Sequence, residues 1–379
     1  DMYLPSFPTM MAEFGVTESV LNLTLVGFFL FFAVGMLLFG PFSDRYGRKP
    51  VLVAGLGLYL TASLLCAAAG SIWQLVLFRV VQALGAGCMV SVSTALVKDS
   101  FDGRLRGTVL ATIQSMGVVG PMLAPIVGAF IVQYASWRVT FLVLAGISLC
   151  SLTAALLLEE PLKPESRLRG PVLGSLSRLF VVARNPSFTS LLLVVALIPA
   201  GFMAYIAVSS YIYQEFFGLS ETAYSLFFAA NAAASVLGPV TYIAINKKVP
   251  ARVIITAALS LAFCGGLAVL LTGRAAPWAF LLSFLPYSFS SSLLRPVSTD
   301  TLLSQQDTDT GSASALINFG NTAMGSVGMV VAALPWRDFV TGLGTIAAGC
   351  ALLALLGWAW LLLSDIPLRG IKEGLAVGD

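Results

Sequence analysis

Residues 40–50 read Gly40-Pro41-Phe42-Ser43-Asp44-Arg45-Tyr46-Gly47-Arg48-Lys49-Pro50 and separate two apolar runs, Leu21 to Phe39 and Val51 to Ala69. Each run is long enough to cross a bilayer as a helix. The link between them holds the acid Asp44 and the bases Arg45, Arg48 and Lys49. It is too short to fold alone and too charged to enter lipid. The stretch therefore reads as a tight basic turn at a membrane surface, joining two spans.

Outward from this turn the same pattern continues. Of the 379 residues 58% are hydrophobic and only 10% charged, whereas soluble domains carry about 25% charged residues. The apolar runs have helical length and lack the alternating polarity of barrel strands, so the expected class is an all-α integral membrane protein. There is no histidine, which removes the commonest metal ligand and the commonest general base. Cys66, Cys88, Cys150, Cys264 and Cys350 all lie inside apolar runs, so neither a disulfide framework nor a metal site is expected. No GxxxxGK[ST] string occurs, which argues against ATP as the energy source.

The chain opens at Asp1 without an initiator Met or a basic flank, and residues 1–14 read as the second half of a truncated first helix. Further spans are expected over 20–42, 51–69, 72–97, 107–133 and 137–158. A charged, proline-containing linker then covers 159–186. Six more spans are expected over 187–214, 222–245, 252–272, 277–298, 311–334 and 339–364, before a polar tail, 365–379. That makes twelve transmembrane helices in two six-helix bundles, 1–158 and 187–364. Lys and Arg crowd the links after the second, fourth, sixth and eighth spans, whereas the opposite links hold only Arg138, Arg274 and Arg337. The positive-inside rule then puts the linker and tail in the cytoplasm. A repeat supports two equivalent halves: Gly40-Pro41 leads to Arg48-Lys49-Pro50, and Gly238-Pro239 leads to Lys247-Lys248-Val249-Pro250. Parallel repeats with a substrate site between the halves are a recurrent transporter design.

The turn itself, Gly40-x-x-x-Asp44-Arg45-x-Gly47-Arg48-Lys49, resembles the loop signature of the major facilitator superfamily. Asp1-Met2-Tyr3-Leu4-Pro5, Arg79-x-x-Gln82 and Gly117-x-x-Gly120-Pro121-x-x-x-Pro125-x-x-Gly128 resemble three motifs of its drug:proton antiporters. Tyr211-Ile212-Tyr213, Phe217-Gly218-Leu219-Ser220, Asn231 and Gly311-Ser312-Ala313-Ser314-Ala315 are similar to the second half of Bcr/CflA-type multidrug and phenicol exporters. The resemblance implies the twelve-helix fold of the superfamily, export of drug-like molecules, a proton gradient in place of any cofactor, and an Arg79 close to the acid of the first helix.

Among the acids, Asp1 alone lies deep in an expected span, where an ionisable residue is costly and a functional candidate. Burial penalises its charged form, so it can release a proton as drug arrives and regain one as drug leaves. A purely structural Asp1, bonding its helix to a neighbour, is the alternative. Arg79 must face the interior, and Gln82 shares its face; the pair either tunes Asp1 or is satisfied by backbone carbonyls. Pro121 and Pro125 predict a bend in the fifth span, and its glycines predict close packing against the eighth span. Gly85-Ala86-Gly87 and Gly55-x-Gly57 read as packing glycines. Polar or aromatic residues in apolar spans are the cavity candidates: Tyr3, Asn22, Gln82, Gln114, Tyr205, Tyr211, Asn231, Tyr287, Asn318 and Asn321. For the opening turn the expectation is a latch. Asp44 would sit against the start of the eleventh span near Gly311 and Ser312. Arg45, Arg48 and Lys49 would bond nearby acids and lipid phosphates, and Gly40 and Gly47 would allow close approach and a tight bend. The turn after the eighth span keeps bases but has no acid, so its latch should be weaker.

Together these expectations describe a monomeric, multi-pass protein of a bacterial-type inner membrane, exporting small drug-like molecules against protons and binding no nucleic acid. A metabolite importer or symporter on the same fold is the alternative. A membrane-embedded enzyme has too little chemistry here, and a channel does not need a two-fold repeat with motif-bearing turns.

Overall fold

The computed structural model describes residues 2–100, 123–162, 167, 179–246, 248–306 and 310–371, with backbone alone at Lys98, Thr310 and Gly311. Asp1, Gln114, Gly117, Gly120 and Pro121, for which the sequence predicts functional or packing roles, lie outside the described residues. The first unit, Asp1–Ser177, contains a 3₁₀ turn at Leu4–Ser6, α1 (Phe7–Phe14), α2 (Glu18–Tyr46), α3 (Arg48–Ala67), α4 (Ile72–Ser100), α5 (Leu123–Tyr134) and α6 (Arg138–Leu157). The second, Arg178–Asp379, contains α7 (Pro186–Val195), α8 (Leu197–Tyr211), a π-helical turn at Ile212–Phe216, α9 (Glu221–Ile245), α10 (Ala251–Thr272), α11 (Pro277–Leu303), α12 (Thr310–Ala332) and α13 (Phe339–Leu363). Among the described residues nine helical segments are long and apolar enough to span a membrane, with α7, α8 and the π turn forming one of them. α11 matches them in length but carries more serine, proline and charge, including Arg295 and Asp300.

Two of the expected spans are interrupted. Residues 4–14 form a 3₁₀ turn followed by α1, with Pro5 and Pro8 at the helix starts, where a missing N–H costs nothing. The seventh span breaks at Ala196. Pro199 has no N–H to return to the Val195 carbonyl and its ring crowds that turn. At 29 residues, α2 is about 43 Å long, more than the roughly 30 Å hydrocarbon core. That length leaves room for its charged last turn, with Asp44 and Arg45, beyond the lipid tails.

Each unit repeats one packing scheme. In the first, α2 packs on α4, and α3 packs on both α4 and α6; in the second, α9 packs on α11, and α10 on both α11 and α13. Small residues make these contacts close, as membrane interfaces require. A Cβ at Gly87 would meet the Phe32 oxygen at 2.5 Å and the Met36 nitrogen at 2.8 Å, and one at Gly85 would meet the Gly55 oxygen at 2.8 Å. Three of the expected packing glycines, Gly55, Gly85 and Gly87, thus hold α4 between α2 and α3, while Gly57 faces open space with nothing within 4 Å. The repeat extends to single positions. A Cβ at Gly128 of α5 would overlap the Met2 carbonyl, and one at Gly328 of α12 would overlap the Ala200 carbonyl. The last glycine of the helix 5 motif therefore lets the chain just before α1 cross within its own unit.

Candidate functional site

Arg79 enters the interior of the first unit from α4 and is 1% exposed. A guanidinium at that depth needs partners, and the sequence supplies a relay. Its Nη1 donates to Gln82 Oε1 (2.6 Å), Gln82 Nε2 donates to Ser63 Oγ (2.7 Å), and Ser63 donates to the Tyr59 carbonyl (2.7 Å). The three-residue spacing puts Arg79 and Gln82 on one face of α4, and Ser63 comes from the facing α3. The guanidinium also lies over the Phe28 ring at 4.0 Å and the Tyr3 ring at 4.8 Å, a cation–π arrangement that strengthens as water is excluded. Tyr3 is itself held in place. Its ring contacts Phe7 and Phe141, each at 5.2 Å, and its hydroxyl lies 2.9 Å from Thr24 Oγ1. The Thr24 proton goes to the Leu21 carbonyl, so Tyr3 is the donor in that pair. Met2 and Tyr3, the two residues after Asp1 in sequence, are buried, and Tyr3 sits beneath the Arg79 guanidinium.

Asn22, on α2, is fully buried, and among the described residues neither its amide nitrogen nor its amide oxygen has a hydrogen-bond partner. Such a group forfeits its hydration without compensation. In the second unit the cavity candidates are mostly engaged in packing. Tyr205 stacks on Phe284 with centroids 4.5 Å apart, Tyr287 donates to the Ile198 carbonyl (2.9 Å), and Asn231 Oδ1 accepts from Ser288 (2.8 Å). Tyr211 is buried against Phe339. Asn318 is exposed and Asn321 half-buried. In this conformation the aromatic residues form the interior of the unit, and the amides of α12 are the accessible ones.

The turn at residues 40–50 is densely bonded. Gly47 ends α2 and starts α3 with φ +106°, a backbone shape that side-chain-bearing residues rarely adopt. Arg48 folds back, 8% exposed. Its Nη1 meets Asp44 Oδ1 at 2.5 Å and Ser43 Oγ at 2.6 Å, and its Nε donates to Asp99 Oδ2 at 2.8 Å. The arginine thus ties the end of α2 to the end of α4. Glu160, at the start of the linker, accepts from the backbone nitrogens of Arg48 (2.9 Å) and Lys49 (3.0 Å), and from Leu162 N (3.0 Å). It satisfies two of the donors that every helix start leaves open, with the charge sign that the helix dipole favours. A Cβ at position 47 would meet its Oε2 at 2.6 Å, so any other residue there would displace the Glu160 carboxylate as well as strain the backbone. Arg45 lies over the Tyr46 ring at 5.4 Å, and Asp44 remains half exposed. Among the described residues the corresponding contact in the second unit is a hydroxyl bond, Tyr242 to Asp300 Oδ2 at 3.4 Å.

Ser63, Asp99 and Glu160 were not singled out by sequence reasoning. Asp99 and Glu160 carry one available signal, an acid at the end of an apolar run on the basic side. Ser63 carries none, because a serine in a membrane helix has no distinctive pattern.

The model of the family described as Major Facilitator Superfamily matches residues 1–329. The chain belongs to the major facilitator superfamily. An MFS-type transporter of Bacillus subtilis named YdgK is 31% identical over 86% of this chain and 83% of its own length. A bicyclomycin resistance protein homolog of Haemophilus influenzae is 26% identical over 98% of this chain and 94% of its own. Among solved structures, a D-xylose–proton symporter superposes with a TM-score of 0.72 at 18% identity, covering 97% of this chain and 93% of that one. The chain is accordingly a multi-pass membrane transporter and not an enzyme. As a superfamily member it is built from two packing units of one design, with Arg79 buried in the first and the signature turn on that unit's basic edge.

Proposed function

We propose that this transporter exports drug-like small molecules in exchange for protons, alternating access between the two sides of a bacterial inner membrane. The observation that carries this reading is the buried Arg79 relay, stacked over Tyr3 two residues after Asp1. A fixed positive charge favours the ionised carboxylate and low dielectric opposes it, so an acid in this stretch can exchange its proton within the working range. The resemblance of the Asp1, Arg79 and Gly117–Gly128 motifs to drug:proton antiporters supports the choice of cargo. So does similarity to a bicyclomycin resistance protein homolog. A membrane potential of 100 mV contributes about 2.3 kcal/mol per charge, equivalent to a concentration ratio of roughly fifty, which suffices for export. In this reading the protein works as a monomer with its linker and tail in the cytoplasm. The turn at 40–50 acts as a latch, and the second turn acts as a weaker one.

The test is efflux from proteoliposomes under an imposed pH gradient, across a compound panel that includes bicyclomycin and phenicols. Drug export that collapses with the gradient is the expected result. Uptake of a metabolite coupled to the same gradient would replace this reading with an importer. Asp1→Asn in the full protein should abolish gradient-driven export while leaving expression intact, and unchanged export would remove Asp1 from the proton path.

A further inference from the structure

We infer that the second unit carries a binding site for an anionic phospholipid of the leaflet facing the basic links. The site is a groove of ≈ 680 Å³ where α10 begins and α13 ends, walled by Arg252, Val253, Thr256, Ala257, Leu362 and Ile371. The groove is built by identifiable contacts. Behind it, Trp358 Nε1 donates to Thr256 Oγ1 (2.8 Å), which ties α13 to α10. Its end is closed by the chain after α13, which turns back under the bundle. Gln305 Oε1 accepts from Arg369 N (3.0 Å), Gln305 Nε2 donates to the Arg369 carbonyl (3.1 Å), and Asn185 Nδ2 holds the Gln305 carbonyl (2.9 Å). Leu368 and Ile371 are thereby buried.

Charge and position identify the occupant. Arg252 is half-buried at the mouth and Lys248 is exposed four residues before it. Among the described residues no acid pairs with either. The walls are apolar, and α10 and α13 are both membrane spans, so the groove lies where headgroups meet acyl chains. The neighbouring surface faces lipid: Val253 is 53% exposed, Trp360 56% and Leu363 88%. Basic pockets beside apolar clefts at this level select anionic headgroups. The phosphate takes the Arg252 and Lys248 charges, and the upper part of a chain lies against Val253, Ala257 and Leu362.

Native mass spectrometry of the protein released from phosphatidylcholine nanodiscs doped with phosphatidylglycerol tests this without reference to transport. The wild type should retain phosphatidylglycerol in preference to phosphatidylcholine. Lys248→Gln with Arg252→Gln should lower that retention on the order of tenfold. Ala257→Phe, which fills the groove and keeps both charges, should lower it similarly. Excess inorganic phosphate should not displace the lipid. Equal retention in the wild type and the charge variant, equal retention of the two lipids, or displacement by phosphate would each overturn the inference. Melting in phosphatidylcholine discs alone identifies any folding defect; if the charge variant has one, the Ala257→Phe result decides.

Discussion

At the residue scale, the chemistry centres on a buried cation whose surroundings draw on α2, α3, α4 and the segment ahead of α1. Arg79 bonds Gln82 on its own helix, Gln82 bonds Ser63 on α3, and the rings beneath the guanidinium belong to Phe28 of α2 and Tyr3 ahead of α1. Lysine keeps the charge but loses the planar fork and the stacking face. Arg79→Lys is therefore expected to slow gradient-driven export at least about tenfold, the equivalent of one broken buried bond, in the proteoliposome assay. Wild-type rates in that variant would mean that charge alone matters. Ser63→Ala leaves a Gln82 donor without its acceptor, and the same bookkeeping gives a loss of about 1–3 kcal/mol in stability, measurable by thermal melting. Arg79 and Gln82 were legible from their spacing in an apolar run. Ser63 became visible only when α3 was laid against α4.

At the element scale, two kinds of contact govern how helices meet. The first is close backbone approach. Valine at Gly87 would drive its Cβ into the backbone of Phe32 and Met36, which cannot shift without moving α2. Gly87→Val should abolish the monodisperse folded peak in size-exclusion chromatography. Gly57 has open space around it, and helical glycine gives up backbone entropy relative to alanine. Gly57→Ala is expected to raise stability by about 0.5–1 kcal/mol, read as a higher melting temperature. The second kind is the clamp on the signature turn. Glu160 reaches back 112 positions to the Arg48 amide and joins the start of the linker to the helix 2–3 turn. Glu160→Ala should leave drug affinity unchanged, increase hydrogen exchange at the amides of Arg48 and Lys49, and slow turnover several-fold, since a helix cap contributes about 1 kcal/mol. An affinity loss with unchanged turnover would count against a gating role.

At the scale of the whole molecule, the repeated scheme means that each unit has its own interior. Arg79 and its rings belong to the first, and the Tyr205–Phe284–Tyr287 stack belongs to the second. A chain divided at the boundary between Ser177 and Arg178, with both pieces co-expressed, should therefore recover export, measured in the same proteoliposomes. Failure of the pieces to purify together would mean that the units depend on a continuous linker to fold. The two turns are also unequal. Among the described residues the first is held by a charge-assisted cluster at 2.5–2.9 Å, whereas the second has a hydroxyl bond at 3.4 Å. Arg48→Ala should accordingly impair turnover more than Tyr242→Phe, compared as rates at saturating drug.

Sequence by itself determined that this is a helical membrane protein and where most of its spans run. It also marked out the basic turn and a repeated plan, because hydropathy, length and loop charge are local properties that the bilayer reads directly. The Pro199 break and the π turn escaped that reading, since proline is tolerated in membrane helices and only neighbouring packing decides the outcome. Tertiary structure decided how the polar residues are used. Tyr287 and Asn231 had the composition of cavity residues, yet the Ile198 carbonyl and the Ser288 hydroxyl engage their polar groups within one unit. Asp99 and Glu160 were ordinary loop acids until folding brought them to Arg48 and to the amides at the start of α3. The physical reason is the same in each case. A buried polar group takes whichever partner the packing brings within about 3 Å, and that partner is set by distance in space rather than along the chain.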